Sequence, residues 1–335
     1  MTLNRRVFLS LATQGVALAL IPIRPAFASG DLILGEYALD PDRPVVDGDT
    51  IKVLGLDSSL RLIGIDTEET FKATQDRKDA KQNFAAYCKK KRGDKTLPTK
   101  YGTPAGELAS TYASSWFRGV TRVRLEYDEA ERRIDIYGRH LVHIFGLKKG
   151  RWRHYNVACV RDGWSPYFNK YGESRRYHDA FVDAQKAARA EEIGIWSKDV
   201  DHYPDYDERL PWWDRRARQI NHFEAHHAND PMFVRLGEGT AFDRLMAAEG
   251  QRRVVFGVMS TSSPPKGLPY RRYFGHMNRQ NFTVVSFNEQ PMQRLKLEDH
   301  LGEYVYLEGV VSSYRGLPQF QAEGVRRVWR EPEEL

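Results

Sequence analysis

The sequence predicts an α+β protein in which a small β-barrel with helices packed outside it is followed by a second, smaller five-stranded barrel. From about residue 30 to 198, strand-like runs alternate with amphipathic helical segments. From 246 to 332, five strand-like runs are separated by turns that contain Gly and Pro. A chain of 335 residues with 41% hydrophobic residues is long enough for two packed cores.

Residues 1–28 have the pattern of an export signal peptide. Arg5-Arg6 precedes an apolar run from Val7 to Ile23, and Ala26-Phe27-Ala28 predicts cleavage before Ser29. The arginine pair also resembles a twin-arginine signal. The alternative is an uncleaved membrane anchor, although the run is short and interrupted. We expect a periplasmic or secreted protein that has the export machinery as a partner. After cleavage of the signal peptide, no stable membrane insertion is expected.

The charge of the chain is weak evidence for a nucleic-acid partner. The net charge of +6 includes three arginines and no acid from residues 1–28, so the remainder carries +3. The local distribution is more informative, because residues 72–100 hold ten Lys/Arg against three Asp. This segment is either a basic insertion that grips a nucleic-acid backbone or a solvated loop.

The first region opens with strands expected at Val45–Leu54 and Leu60–Ile65. After the basic insertion, Thr103 and Pro104 have the pattern of a helix N-terminus. The expected apolar face of this helix is Ala105, Leu108, Tyr112 and Trp116. Further strands are expected at Val120–Tyr127, Ile134–Ile144 and His154–Val160.

A second helix begins near Ser174 and ends before Gly194. Its apolar positions are Tyr177, Phe181, Ala184 and Ala188. Residues 199–245 are acidic and are expected to form an irregular linker. His222, Glu224, His226 and His227 lie close together there, but they do not form the HExxH pattern of a zinc protease, and solvated helix-face histidines are expected.

The C-terminal region, 246–332, is expected to form an OB-like barrel, because it holds five strand candidates in under 90 residues. The candidates are Arg253–Met259, Tyr273–His276, Phe282–Phe287, Tyr304–Val311 and Gln319–Arg330. Residues 251–330 carry twelve Lys/Arg against six acids, with aromatic residues between them. Tyr270, Tyr273, Phe274, Phe282 and Tyr314 either stack on nucleic-acid bases or face the core.

Charged residues are concentrated between Val45 and Thr70, where Asp49, Asp66, Glu69 and Arg61 lie in and around apolar strands. Burying these charges costs several kcal/mol per ion unless partners compensate. Three carboxylates near an arginine indicate a hard cation beside a substrate anion. Arg139, after a glycine at a strand interruption, adds a second guanidinium whose fork of donors matches phosphate oxygens. The pattern predicts phosphodiester chemistry.

Cys88 and Cys159 are the two cysteines of the chain. In an oxidising compartment they could pair, and the equally acceptable alternative is two buried free thiols.

Three motifs resemble those of the staphylococcal nuclease (thermonuclease) family, in the same order. They are Val46-Asp47-Gly48-Asp49-Thr50, the run from Arg61 to Thr70, and Asp135-Ile136-Tyr137-Gly138-Arg139. The segments at Tyr101–Ala105 and from Arg161-Asp162-Gly163 to Ile195-Trp196 are also similar, so the resemblance covers about 40–198. It implies an OB-type nuclease barrel over 30–198 and a hydrolase that cleaves DNA and/or RNA, as an endonuclease, with Ca2+.

The resemblance also implies roles for single residues. Asp49 and Asp66 match the calcium-binding carboxylates, with a backbone oxygen from Thr67. Glu69 matches the residue that orients or activates the attacking water, and Arg61 and Arg139 match the arginines that bind the scissile phosphate. Tyr137 and Tyr171 match residues that contact the phosphate and the nucleotide. We expect a monomer whose partner is nucleic acid.

Two positions depart from the family pattern. Glu68 replaces a proline, which is expected to loosen the turn and to add a fourth acid to the site. Ile136 replaces a lysine that contacts a substrate phosphate. The main alternative function is a nuclease-fold module that binds nucleic acid without cleaving it, although such a module has little use for Asp49, Asp66 and Glu69 together.

Overall fold

The computed structural model describes residues 32–331, apart from 131, 136, 262–266 and 278–279. The export signal at 1–28 and the substitution at Ile136 lie outside the described residues, so both remain predictions. Within the described ranges, no helix combines the length and apolar character needed to cross a membrane.

The first region holds two sheets. The larger has the strand order β1-β6-β7-β4-β3-β2 with β8 paired to β7, and the smaller pairs β5 with β9. The bounds are β1 Ile33–Tyr37, β2 Val45–Asp47, β3 Thr50–Ile51, β4 Leu60–Leu62, β5 Gly64–Ile65, β6 Val123–Glu126, β7 Leu141–Lys148, β8 Arg151–His154 and β9 Tyr167–Phe168. The predicted closed barrel is an open sheet, in which an isolated bridge joins Leu39 to Val53.

Five helices surround these strands: α1 Thr74–Gln82, α2 Phe84–Arg92, α3 Pro104–Phe117, α4 Tyr155–Arg161 and α5 His178–Ala190. The predicted start of α3 is confirmed, because the Thr103 side-chain oxygen accepts a hydrogen bond from Gly106 N–H at 3.1 Å. The strand predicted at His154–Val160 is wrong. This segment forms α4, in which Asn156 accepts a hydrogen bond from Ile144 N–H of β7 at 3.0 Å and its amide donates to Ile63 C=O at 2.8 Å.

The predicted apolar face of α3 is confirmed in part, because Ala105 is buried and Tyr112 and Trp116 are half-buried against the core. Leu108 is exposed, and the buried positions are Ala105, Gly106, Ala109, Ala113 and Phe117. Small residues are buried because α3 approaches the neighbouring backbone closely, and a Cβ at Gly106 would lie 2.1 Å from Glu69 O. In α5, Phe181, Ala184 and Ala188 are buried as predicted.

The irregular linker predicted for 199–245 is also wrong. It contains the 21-residue helix α6, Tyr206–His226, followed by strand β10, Phe233–Arg235, and helix α7, Ala241–Met246. The helix forms because one face packs on both halves of the chain. The Trp213 ring lies 4.7 Å from that of Phe168, and the Phe223 ring stacks 4.8 Å from that of Phe256.

The C-terminal sheet has seven strands rather than five, in the order β10-β11-β14-β15-β13-β12 with β16 paired to β14. Its remaining elements are β11 Arg252–Val258, β12 Tyr270–Met277, β13 Gln280–Ser286, α8 Glu289–Arg294, β14 Tyr304–Tyr314, β15 Leu317–Gln321 and β16 Arg327–Trp329. This sheet is likewise open rather than a closed barrel, and a bridge between Met259 and Phe274 connects its two sides.

Two of the aromatic residues proposed to stack on bases belong to the core. Phe274 and Phe282 are fully buried, whereas the Tyr314 side chain is exposed. The two cysteines are free and buried, so the structure contains no disulfide between Cys88 and Cys159.

Candidate active site

The turn between β2 and β3 places Asp49 beside Thr67. The Asp49 carboxylate accepts hydrogen bonds from Thr50 Oγ1 and Thr67 N–H, both at 3.1 Å. Gly48 allows this approach, because a Cβ at this position would lie 2.6 Å from Thr67 Cγ2. The Gly48 carbonyl accepts a hydrogen bond from the buried Tyr155 hydroxyl at 2.7 Å. The Asp47-Gly48-Asp49 motif therefore supplies carboxylates and also packs its Gly48 backbone against Thr67 and Tyr155.

Arg61 joins the two aspartates that the sequence singles out. Its guanidinium forms ion pairs with Asp49 and with Asp66, the latter at 2.6 Å, and donates to Ile65 C=O at 3.3 Å. Burial would lower the pKa of Arg61, but the two carboxylates raise it above its ordinary value. The result is a buried cluster with a fixed guanidinium.

Asp66 has a second cationic partner that the sequence analysis did not identify. Lys100 Nζ lies 2.5 Å from Asp66 Oδ1, and Asp66 N–H donates to Ser165 Oγ at 2.8 Å. Burial opposes ionisation of Asp66, yet Lys100 and Arg61 hold its pKa below the ordinary value. The position of Lys100, at the end of the basic insertion and just before Tyr101-Gly102-Thr103-Pro104, was the available sequence signal.

Asp47 is a further acid near the cluster. Its side chain accepts a hydrogen bond from Asp49 N–H at 3.1 Å. Burial and the charge of Asp49 raise the pKa of Asp47 to about 6. Asp47 therefore gains a proton more readily than an exposed aspartate.

Glu69 is held by its backbone, and its side chain is partly open to solvent. The Glu69 carbonyl accepts a hydrogen bond from Thr103 N–H at 3.0 Å, and the carboxylate lies 3.5 Å from Lys72 Nζ. The side chain of Glu69 is 32% exposed, against 5% for Asp66. The Glu69 side chain is thus accessible to solvent. Its described ion pair is with Lys72 and not with the Asp49–Arg61–Asp66 cluster.

Arg139 comes from a distant part of the chain but lies on a strand connection next to Arg61. Arg61 N–H donates to His140 C=O at 2.9 Å, and β4 pairs with β7 at Arg61 and Leu141. The Arg139 guanidinium binds the Asp135 carboxylate at 2.7 Å and lies 5.4 Å from the Tyr137 ring. Arg139 is therefore beside the cluster in the fold, with its side chain paired to Asp135.

Both tyrosines proposed to contact nucleic acid are exposed. Tyr137 is 76% exposed and Tyr171 is 47% exposed. The Tyr171 carbonyl accepts a hydrogen bond from Arg132 at 2.6 Å, and the Arg216 guanidinium lies 5.5 Å from its ring. Exposed aromatic faces beside cations suit contact with a nucleotide.

Comparison with known proteins gives one family and several relatives. The model of the staphylococcal nuclease homologue family matches residues 59–198. Residues 59–198 are therefore similar to the staphylococcal nuclease family. A thermonuclease of Staphylococcus intermedius is 29% identical over 156 residues, which is 46% of this chain and 73% of the relative.

A thermonuclease of Staphylococcus hyicus is 29% identical over 155 residues, covering 46% of this chain and 72% of the relative. The SPbeta prophage-derived endonuclease YokF of Bacillus subtilis (strain 168) is 28% identical over 155 residues, covering 46% and 42%. The match to the family model begins after the Asp47-Gly48-Asp49 turn, so the nuclease-like site extends beyond the matched range.

Glu68 does not add a fourth acid to the site, contrary to the prediction. It is buried and accepts hydrogen bonds from Thr103 Oγ1 at 2.5 Å and from Tyr203 N–H and the Tyr206 hydroxyl, each at 2.8 Å. Burial raises the pKa of Glu68. Its three donors fix the turn before Glu69 rather than loosen it.

Much of the charge of the basic insertion, residues 72–100, is paired within the protein. Lys91 binds Asp76 at 2.6 Å, Lys90 binds Asp79 at 3.0 Å, and Arg92 binds both Asp205 and Glu208. The insertion folds as α1 and α2 rather than as a loop. Pairing reduces, without removing, the charge available to a phosphate backbone.

The donor set of the Asp49–Arg61–Asp66 cluster fits a hard divalent cation. Asp49 and Asp66 supply buried carboxylate oxygens, and the Thr67 N–H contact brings the Thr67 backbone beside Asp49. Oxygen donors of this kind suit calcium. Arg61 and Lys100 already neutralise the two carboxylates, so a cation would compete with them.

Proposed function

We propose that this chain is an exported, calcium-dependent nuclease that hydrolyses phosphodiester bonds in DNA and/or RNA, acting as an endonuclease. The observation that carries the proposal is the Asp49–Arg61–Asp66 cluster, with an accessible Glu69 three residues after Asp66. The named activities of the relatives support it.

Arg61 and Arg139 bind the scissile phosphate in this proposal. Arg61 has five N–H donors, and contacts with Asp49, Asp66 and the Ile65 carbonyl leave others for a ligand. Arg139 has to share its donors with Asp135 or release it. Two guanidinium groups stabilise the negative charge that develops on phosphorus oxygens.

Glu69 orients the attacking water and accepts its proton. A group with this role must reach solvent, and the partial exposure of Glu69 meets that requirement. Thr103 and Glu68 hold the backbone on either side, which limits movement of the carboxylate. Calcium, held by Asp49, Asp66 and the Thr67 backbone oxygen, would neutralise charge on the bound phosphate.

The exposed surface of the C-terminal region assists substrate binding. Its excess of basic residues and the exposed Tyr314 support this role. Tyr314→Ala is expected to weaken binding of single-stranded DNA with little change in turnover at saturating substrate. An equal loss of binding and turnover would argue against the accessory role.

The test of the nuclease function is digestion of DNA and RNA by the purified protein with calcium or with chelator. Cleavage with calcium and none with chelator is expected, and activity unaffected by chelator would contradict the metal assignment. Glu69→Gln is expected to lower turnover by about 100-fold or more, because it removes general-base catalysis. Glu36→Gln, at an exposed position on β1, is the matched control.

The alternative is a nucleic-acid-binding module without catalysis. It predicts salt-dependent binding of DNA or RNA that is unaffected by Glu69→Gln, together with no cleavage under any metal condition. Measuring binding and cleavage on the same samples separates the two functions.

A further inference from the structure

The end of α6 and the chain after β16 form a cluster of potential metal ligands, far along the sequence from the nuclease motifs. His222, His227 and Glu331 each offer a ligand atom, and these three atoms lie within 4.8 Å of one another. All three side chains are partly buried. The prediction of solvated histidines holds for the exposed His226, but His222 and His227 are half-buried.

The distances within the cluster are close to those of a metal site. His227 Nε2 lies 3.0 Å from Glu331 Oε2, and His222 Nδ1 lies 3.9 Å from the same oxygen. Ligand atoms about 2.0–2.1 Å from a tetrahedral zinc ion are about 3.3 Å apart. Small side-chain movements would therefore bring the three atoms to coordinating distance.

His222 provides an independent observation, because one of its ring nitrogens lacks a hydrogen-bond partner within the part of the chain that the structure describes. Its Nδ1 atom is buried and accepts or donates no hydrogen bond among the described residues. Buried polar atoms are normally paired, so an unpaired ring nitrogen beside a carboxylate is available to a ligand.

The surroundings of His227 restrict its motion. The Phe233 ring stacks on it at 4.0 Å, and the Tyr306 ring contacts it edge-on at 5.5 Å. An aromatic shell of this kind holds the imidazole and limits water around it. His226 differs, because its Nδ1 bonds to the His222 carbonyl at 2.9 Å and its side chain is exposed.

We propose that His222, His227 and Glu331 bind one divalent transition-metal ion of the zinc class. The ion joins the end of α6 to the segment that follows the last strand of the C-terminal sheet. Two imidazoles and one carboxylate are ligands that zinc accepts, and water completes the coordination. The site is separate from the oxygen-only calcium site and does not depend on nuclease activity.

The test is a calorimetric titration of the chelator-treated full chain with zinc, together with visible absorption of the cobalt-loaded protein. One zinc per chain is expected, with a cobalt spectrum of tetrahedral or five-coordinate nitrogen and oxygen ligation. His222→Gln and His227→Gln should each weaken binding by more than about 100-fold, the upper range for loss of a supporting residue. His226→Gln is the matched control and should retain the affinity.

Asp66→Asn distinguishes the histidine site from the site at Asp66. Zinc bound at Asp66 would be lost in Asp66→Asn and kept in the His222 and His227 variants. Circular dichroism shows whether each variant is folded. No zinc binding by the unsubstituted chain would overturn the proposal. The same conclusion follows if folded His222→Gln and His227→Gln variants keep the full stoichiometry and affinity.

Discussion

Replacing Lys100 with methionine should tighten calcium binding at the site proposed around Asp49 and Asp66. Lys100 Nζ lies 2.5 Å from Asp66 Oδ1, and a calcium ion lies about 2.4 Å from its oxygen ligands. The two cations would therefore be at most about 5 Å apart. Even at the dielectric constant of water, their repulsion at this distance is about 1.7 kcal/mol. Its removal corresponds to an affinity gain of more than about tenfold.

The assay is calorimetric titration of calcium into chelator-treated protein without nucleic acid, so that binding is measured apart from catalysis. Lys89→Met, at an exposed position on α2, is the control and should leave the affinity unchanged. An unchanged or weaker calcium affinity of Lys100→Met would refute the reasoning about Lys100. Absence of calcium binding in both the wild type and Lys100→Met would instead refute the metal assignment.

Two further predictions concern a half-buried lysine and a glycine. Burial and the nearby Arg216 lower the pKa of Lys170 to about 7. Between about pH 7 and 10 the unfolded chain therefore binds more protons than the folded chain. The free energy of unfolding should rise with pH across that window. Lys170→Met should reduce this rise by about 3 kcal/mol between pH 7 and pH 9.5, measured by urea unfolding. An equal rise in both proteins would contradict the prediction. Gly48→Ala should weaken calcium binding, because the added Cβ would displace Thr67; unchanged calorimetric affinity would show that the turn accommodates it.

The sequence predicted correctly those features of the fold that depend on residues close together in the chain. The start of α3 follows from Thr103 and Pro104, which act within one turn of the helix. The buried face of α3 depends instead on the close approach of Glu69, so helical spacing alone selected Leu108 wrongly. Helix α6 was missed because its stability comes from packing on residues such as Phe168 and Phe256, which lie far along the sequence.

The same distinction applies to the candidate site. Asp49, Arg61 and Asp66 lie in adjacent strands and turns, and their contacts follow from the order of the motifs. Lys100 reaches Asp66 across 34 positions of the chain, through an insertion whose path the sequence does not specify. Glu68 was misplaced for a related reason, because its partners Tyr203 and Tyr206 come from a segment interpreted as a linker.

The hydrogen bonds of Glu68 indicate that residues 199–206 contribute to the stability of the first region. Tyr206, at the start of α6, donates to a buried carboxylate beside the proposed catalytic Glu69. Tyr206→Phe should therefore lower the free energy of unfolding by about 2 kcal/mol, as expected for a hydrogen bond to a buried charged group. Tyr314→Phe, which removes an exposed hydroxyl, is the control. The measurement is the midpoint of thermal unfolding in the presence of calcium. An equal midpoint in Tyr206→Phe and the wild type would identify residues 199–206 as a linker. A lower midpoint in Tyr206→Phe would support their contribution to the first region.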